Sequence, residues 1–382
     1  MIRWIPLGIN NRNFVGLGSR KKIFSYLESR KLCNILLIAG KSSCQEPLIK
    51  DYIDEIKSKF ETKEIIKHSV NPQFEESFDA SRLIKNNKFD VIIAIGGGSI
   101  IDTAKLICAF QPHNKEECKR IVLGNKSIEK SLIPIFAIPT TAGSGSEATH
   151  FAVAYLNKKK FSVASKKLLP TAFFIDGELT YSMSNYLAAS TGFDALAQAI
   201  ESAWSINSNA KSLSYSHDAI RLIKNNLEKA VLQKNTRSIN KMCYAANLSG
   251  KAINITKTTA PHALSYKIAS ILNLSHGHSV ALTLGHFFEI NCESKNISKR
   301  ISKKNHSKNM KNIFKSFGVK TPKAAKKKWF ELMDVCNLET SFAKLNLQKD
   351  EDIKNIISSV NIERLNNHPV LLEAQDFFTI FK

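Results

Sequence analysis

The sequence predicts an α/β domain built on a parallel sheet, followed by an all-helical domain, with the change of character near residue 182. Two observations predict it. Up to Ser182, short apolar runs alternate with amphipathic helical stretches, which is the pattern of repeated βαβ units. Beyond it, long helical segments follow one another with almost no strand-like run between Tyr186 and Lys382. The expected domains are therefore 1–182 and 183–382, and two domains are ordinary for a chain of 382 residues.

Taken in order, Asn34 to Ala39 (NILLIA) reads as a buried strand, and Gly40-Lys41-Ser42-Ser43 as the turn after it. Pro47 to Phe60 has helical spacing, Glu64 to Ser69 reads as a short strand, and Phe74 to Asn87 as a helix. Asp90 to Ile95 (DVIIAI) and Pro134 to Ile138 are further strands. The sum is a Rossmann-like, nucleotide-binding arrangement.

Composition excludes several classes. A hydrophobic share of 43% and a charged share of 23% belong to an ordinary globular chain. There is no run of about eighteen apolar residues, so no membrane span is expected. MIRWIPLGINNRN lacks the apolar core and cleavage site of a secretory signal. Seven cysteines without CxxC spacing argue against a disulfide scaffold or zinc ribbon, and point to free thiols in the cytoplasm. The net charge is +22, and 45 lysines against 10 arginines carry it. Thirteen of these cations lie between Lys295 and Lys328, where there is no acid. No helix-turn-helix, zinc-finger or RNP pattern accompanies them, so a solvated basic face is expected rather than a nucleic-acid site.

The sequence FDVIIAIGGGSIIDTAKLICAF is a strand, a glycine turn and a helix. Gly96, Gly97 and Gly98 would let a phosphate approach the backbone, and Ser99 would cap a helix beginning around Ile100, whose free N–H groups favour an anion. Asp102 either holds the loop by hydrogen bonding or is an ordinary acid of the first turn. In IPTTAGSGSEATHFAV, the hydroxyls of Thr140, Thr141, Ser144 and Ser146 lie on a loop that Gly143 and Gly145 would keep flexible. Uncharged hydroxyls suit ribose and an amide. The first strand is followed by Lys41 rather than by the acid that bonds a ribose 2′-hydroxyl, so a 2′-phosphate is tolerated and NAD(P)H is expected.

TGFDALAQAIESAWS opens the helical domain and places Asp194 and Gln198 on one helix face, one turn apart, among alanines and leucine. A buried carboxylate there needs a partner. His262 after Pro261, and His276 before Gly277, stand at helix starts. Asp, Gln and two His form a mixed oxygen and nitrogen set suited to a divalent first-row ion with an open position, although each His could also cap or fill a helix end. Between them lies a Lys257-Thr258-Thr259 cluster among apolar residues.

Together GGGSIIDTAK, PTTAGSGSE, FDALAQAIE, PHALSY and HGHSVAL, in this order and spacing, resemble the iron-containing (group III) alcohol dehydrogenase family over nearly the whole chain. The resemblance implies the dehydroquinate synthase-like fold of that family, a nicotinamide cofactor, and a divalent metal, Fe²⁺ first with Zn²⁺ or another ion as the alternative. Its ligand positions here are Asp194, Gln198, His262 and His276; Gln198 departs from the His of most members, and Tyr266 from a proton-relaying His. SGSEATHFAV, QAIESAWSINS and GKAINITKTTAPHALSY resemble the phosphonoacetaldehyde reductase branch, which forms 2-hydroxyethylphosphonate in phosphonate biosynthesis. That implies a small anionic aldehyde held by Lys257, Thr258 and Thr259, with Lys251, His150 and Arg364 as further candidates. If one of the two lysines is exposed at the surface, it is expected to be Lys251. Both lysines can contribute only if the helix breaks between Thr256 and Thr259. Asp194, His262, His276 and Tyr266 are the expected catalytic group, in a homodimer. The alternative is a general alcohol or lactaldehyde-type dehydrogenase acting on uncharged aldehydes.

Overall fold

A computed structural model of the chain describes residues 13–85, 87–128, 132–347, 349–360 and 365–381. It forms two compact units: residues up to Thr141 with Ser146–Ser182, and Ala142–Gly145 with the chain from Met183 onward.

The first unit contains, in order, β1 (Asn13–Val15), α1 (Lys22–Ser29), β2 (Asn34–Gly40), α2 (Lys41–Gln45), α3 (Pro47–Lys59), β3 (Glu61–Lys67), α4 (Phe74–Lys85), β4 (Val91–Gly96), α5 (Gly98–Phe110), α6 (Lys115–Val122), β5 (Ile135–Pro139), β6 (Phe151–Leu156), β7 (Lys159–Ala164) and β8 (Ala172–Ile175). Six strands form one sheet in the order β1-β8-β5-β4-β2-β3, paired in parallel throughout. β4 and β5 are buried along their whole length, which is why they read as unbroken apolar runs rather than alternating ones. The chain runs from β2 to β3 at one edge, then returns to place β4 on the other side of β2. The direction of winding therefore reverses between β2 and β4, and the crevice outside their carboxyl ends is where such sheets bind ligands.

Several expectations are corrected here. Gly40 is the last residue of β2, and Lys41–Gln45 turns once as a short helix instead of forming a loop. β1, α1, β8 and the antiparallel β6-β7 hairpin were not read from the sequence. β1 and β8 are too short to show a period, and the hairpin's Lys159 and Lys160 break its apolar pattern. Helix α5 is locked to the hairpin by buried polar groups. Lys105 Nζ donates to Ser146 O (2.8 Å), Ser146 Oγ (2.9 Å), Thr149 Oγ1 (3.2 Å) and Phe151 O (2.7 Å). Asp102 accepts from Ser146 Oγ and from the Val153 N–H at 3.0 Å, so holding the loop is its observed work. Burial lowers the Lys105 pKa to about 8, against the opposing pull of Asp102 and Glu147.

The second unit is helical: α7 (Asn185–Trp204), α8 (Ala210–Leu232), α9 (Thr236–Thr256), α10 (Ala260–Leu272), α11 (His276–Glu293), α12 (Lys303–Phe317), α13 (Pro322–Val335), α14 (Asp350–Ser358) and α15 (Ala374–Phe378). Helix α7 is buried from Gly192 to Trp204 and packs against α8, α9 and α11. Side-chain caps start several of these helices: Ser184 for α7, Asn209 for α8, Asn235 for α9 and Ser302 for α12. On α12 the apolar stripe Met310, Ile313, Phe314 and Phe317 is buried while Lys304, Lys308, Lys311 and Lys315 are exposed, so this part of the basic segment is a solvated helix face. Among the described residues, no helix is long and apolar enough to cross a membrane.

Candidate metal centre

Asp194, Gln198 and Glu201 stand at i, i+4 and i+7 on α7 and so share one face. Asp194 is 7% exposed, Gln198 4% and Glu201 0%. Asp194 Oδ2 accepts from Gln198 Nε2 at 3.0 Å, and its Oδ1 lies 3.2 Å from His262 Nε2 and 3.9 Å from His276 Nε2. The donor atoms of Asp194, His262 and His276 all fall within 4.8 Å of one another. The two imidazole rings are 5.3 Å apart and nearly perpendicular, at 73°.

Local sequence explains how two distant imidazoles reach one carboxylate. Helix α9 stops at Thr256, and Lys257 takes a left-handed φ of 61°, which lets the chain reverse before α10. Asn367 secures the break by donating to the carbonyls of Thr256 (2.6 Å) and Thr258 (3.0 Å). Pro261, in the first turn of α10, fits a helix start, and His262 follows it. His276 opens α11, where Gly277 is required. A Cβ there would lie 1.9 Å from the Ser190 carbonyl oxygen, so only glycine lets α11 seat on α7 at this point.

The residues fit a divalent metal. Gln198 spends its amide N–H on Asp194, while its Oε1 is buried and has no hydrogen-bond partner. An unpartnered buried oxygen is costly unless something binds it. With Asp194 and the two imidazoles it completes a mixed O₂N₂ donor set. Burial lowers the His262 pKa, but the Glu201 and Asp194 carboxylates outweigh that effect and raise it above the ordinary value. Tyr266, one turn after His262 on α10, stacks on the His276 ring at 5.5 Å and 10°.

Glu201 is the residue that the sequence reading missed. It accepts from His262 Nδ1, and from the backbone and hydroxyl of Thr259 at 2.9 Å each. Its position seven residues after Asp194 was the available signal.

The expected anion-binding residues divide. Thr259 is buried and fully engaged: its hydroxyl donates to Glu201 and accepts from Trp204 Nε1 at 2.9 Å. Its one hydroxyl proton is thus committed to Glu201 and not offered to a substrate anion, which corrects its expected role as a donor there. Thr258 is buried beside it. Lys257 is exposed and Lys251 half-buried, the reverse of the expected burial, because Lys257 lies at the positive-φ break after α9 whereas Lys251 lies within α9. His150 belongs to the first unit, half-buried, with its ring 4.4 Å from that of Phe151. Arg364 lies outside the described residues. His278 and His286 serve packing: His278 contacts the Glu339 carbonyl at 2.7 Å and Tyr186, and His286 packs edge-on against Phe330.

The glycine turn stands at the reversal point of the sheet. Gly96 has φ of 159°, and a Cβ on it would lie 2.4 Å from the Ile100 side chain, so glycine is required by the turn itself. Gly97, not Ser99, is the N-cap of α5, and no side chain caps the helix. Ser99 is already helical, and its hydroxyl donates to the Val70 carbonyl at 2.6 Å. No side chain caps the start of this thirteen-residue helix, and an uncapped helix N-terminus is where an anion can be bound. Gly98 begins that helix, Thr141 packs on Gly97, and Thr140 bonds back to the Gly96 carbonyl at 3.1 Å, its hydroxyl 3.5 Å from Ser43. Lys41 is exposed at the start of α2. Ser144 is grouped with the helical unit instead. There Gly143 and Gly145 serve close approach rather than flexibility: a Cβ would come within 2.6 Å of Thr191 and of Gly250, respectively.

Known proteins resemble this chain in sequence and in fold. A family model of iron-containing alcohol dehydrogenases matches residues 10–177, and a model of the C-terminal part of the Fe-containing alcohol dehydrogenase family matches residues 188–382. Long-chain-alcohol dehydrogenase 1 of Geobacillus thermodenitrificans is 34% identical over 56% of this chain and 54% of its own. A phosphonoacetaldehyde reductase of Streptomyces viridochromogenes is 30% identical over 55% of each chain. The match thus spans about half the length of these curated relatives. Among solved structures, the sulfoacetaldehyde reductase of Bifidobacterium kashiwanohense in complex with NAD⁺ superposes with a TM-score of 0.86 at 27% identity, covering 97% of this chain and 95% of that one. An iron-containing alcohol dehydrogenase of Thermotoga maritima, 24% identical over 98% of this chain and 97% of its own, shares the fold with a TM-score of 0.82.

Proposed function

We propose that this chain, which belongs to the iron-containing alcohol dehydrogenase family, is a metal-dependent NAD(P)H reductase of a small anionic aldehyde, converting phosphonoacetaldehyde to 2-hydroxyethylphosphonate. The observation that carries the reading is the convergence of Asp194, His262 and His276 beside the unpartnered oxygen of Gln198. A divalent ion held by these four would polarise an aldehyde oxygen while bound NAD(P)H supplied hydride to the carbonyl carbon.

The chain's own residues do the rest. Asp194, Gln198, His262 and His276 would hold the ion; the first three are buried, which fixes their geometry, and His276 is partly exposed at the start of α11. Gly96, Gly97 and Gly98 with the α5 N-terminus take the cofactor's pyrophosphate, Thr140 and Thr141 its sugar, and Lys41 a 2′-phosphate where there is one. Tyr266 or solvent gives the product oxygen its proton. Aldehyde, reduced cofactor and one proton give alcohol and oxidised cofactor, so the step balances.

Support for an anionic substrate is chemical. Two relatives are named for acetaldehydes that carry a phosphonate or a sulfonate. Thr258 is buried where α9 gives way to α10, with Lys251 half-buried before the break. A half-buried ammonium can pair with a dianion more strongly than an exposed one. One observation favours a second reading: the exposure of Lys257 suits a dehydrogenase of uncharged alcohols such as the long-chain relative.

Steady-state rates separate the two. With NADH and NADPH in turn, kcat/KM is expected to be higher for phosphonoacetaldehyde than for propanal. A preference for the uncharged aldehyde would overturn the proposed substrate class.

A further inference from the structure

We propose that Glu201 is the positioning residue of this centre: it fixes which ring nitrogen of His262 carries the proton, and so which nitrogen is offered to the metal. The inference rests on reading Asp194, Gln198, His262 and His276 as the ligand set.

Glu201 is fully buried, and the three groups facing its Oε1 each bring a hydrogen. Oε1 accepts from the Thr259 N–H (2.9 Å), the Thr259 hydroxyl (2.9 Å) and the His262 N–H (3.3 Å), while Oε2 faces His262 Nδ1. The sense of the hydroxyl contact is settled by Trp204. Its indole N–H can only donate, so Thr259 Oγ1 accepts there at 2.9 Å and turns its own proton toward Glu201. The backbone N–H groups have no choice of role. Oε1 can therefore only accept; at Oε2 an imidazole is the stronger base of the two groups, so the shared proton lies on Nδ1 and the carboxylate accepts it. With Nδ1–H committed to Glu201, Nε2 is the ring nitrogen left for the metal, and it lies 3.2 Å from Asp194 Oδ1.

The same carboxylate does the work of a helix cap. Thr259 precedes α10 without capping it through its own side chain, and Glu201 takes that place from α7. One face of α7 thus supplies two ligands, and also the group that both anchors α10 and orients the ligand it carries. Glutamine is isosteric but would not replace it. An amide turned with its NH₂ toward Nδ1 would force the proton onto Nε2, which could then bind no metal. Turned the other way, it would set N–H against the Thr259 and His262 donors.

The test is an equilibrium Zn²⁺ titration of the purified chain against a competing chelator, for the native sequence, Glu201→Gln and Asp194→Asn, with thermal melts of the metal-free proteins. Removing such an orienting partner weakens metal binding by about 10- to 100-fold, and that loss is expected in Glu201→Gln. If Asp194→Asn loses Zn²⁺ while Glu201→Gln keeps native affinity, the role of Glu201 is overturned and the ligand set stands. If Asp194→Asn also keeps native affinity, the ligand set itself falls and Glu201 with it. Should Glu201→Gln fail to fold, ¹⁵N-histidine NMR of the native Zn²⁺-loaded protein decides. A proton on His262 Nδ1 supports the assignment, and a proton on Nε2 overturns it.

Discussion

Lys251 and Lys257 lie six residues apart, and they differ in setting: one half-buried within α9, the other exposed at the positive-φ break that ends it. A charge-assisted contact is worth about 1.5–3 kcal/mol, which is about 10- to 100-fold in affinity. Lys251→Ala is therefore expected to raise KM for phosphonoacetaldehyde by up to that factor with little change for propanal, and Lys257→Ala to do less. Equal effects on the charged and uncharged aldehyde would count against an anion pocket. At this scale the residues that cluster could be picked from the sequence as candidates, because Asp194 and Gln198 fall one turn apart and each histidine follows or opens a helix start. Glu201 was not, since what makes it matter is the approach of α10, some sixty residues later. The burial of the two lysines was misjudged for a related reason: it follows from the φ of one residue, which composition does not reveal.

Helix junctions set the precision of the centre. The first turn of α11 carries His276, and it reaches α7 only because residue 277 has no Cβ. Gly277→Ala places a methyl group 1.9 Å from the Ser190 carbonyl, a contact neither backbone can absorb. Overpacking of this kind costs about 1–3 kcal/mol. The variant is expected to melt several degrees lower and to bind Zn²⁺ more weakly, because α11 must back away with His276. A melt and a metal titration unchanged from the native chain would show that the junction is looser than described. The strands β2, β4 and β5 were legible because a sheet covered on both faces demands unbroken apolar runs. The β6-β7 hairpin was not, because its stability comes from Asp102 and Lys105 reaching up from α5 rather than from its own alternation.

For the whole molecule, the buried histidines decide how folding responds to acid. His368 is 1% exposed, packed edge-on between Trp204 and Phe287, with neither ring nitrogen hydrogen-bonded. Burial pushes its pKa down to about 3, with His306 adding to the effect. Between an unfolded value of about 6.5 and that of the native state, only the unfolded chain binds the proton, so stability declines as pH falls through this window. The slope from one such group approaches about 1.4 kcal/mol per pH unit. His368→Phe is expected to flatten the fall of melting temperature between pH 6.5 and pH 4, whatever it does to the value at neutral pH. A parallel shift of the whole curve would assign the acid sensitivity elsewhere. The two-part architecture was readable from the change in period near Ser182, whereas the grouping of Ala142–Gly145 with the helices depends on glycine contacts that no pattern announces. The central claim, that Asp194, Gln198, His262 and His276 hold a metal on which aldehyde reduction depends, is tested most directly by NAD(P)H oxidation with phosphonoacetaldehyde. The assay compares native protein stripped by a chelator, the same protein after addition of Fe²⁺ or Zn²⁺, and Asp194→Ala treated alike. Activity lost on stripping, restored by the ion in the native chain and not restored in Asp194→Ala is the predicted result; full turnover by the stripped protein, or equal restoration in the variant, would contradict it.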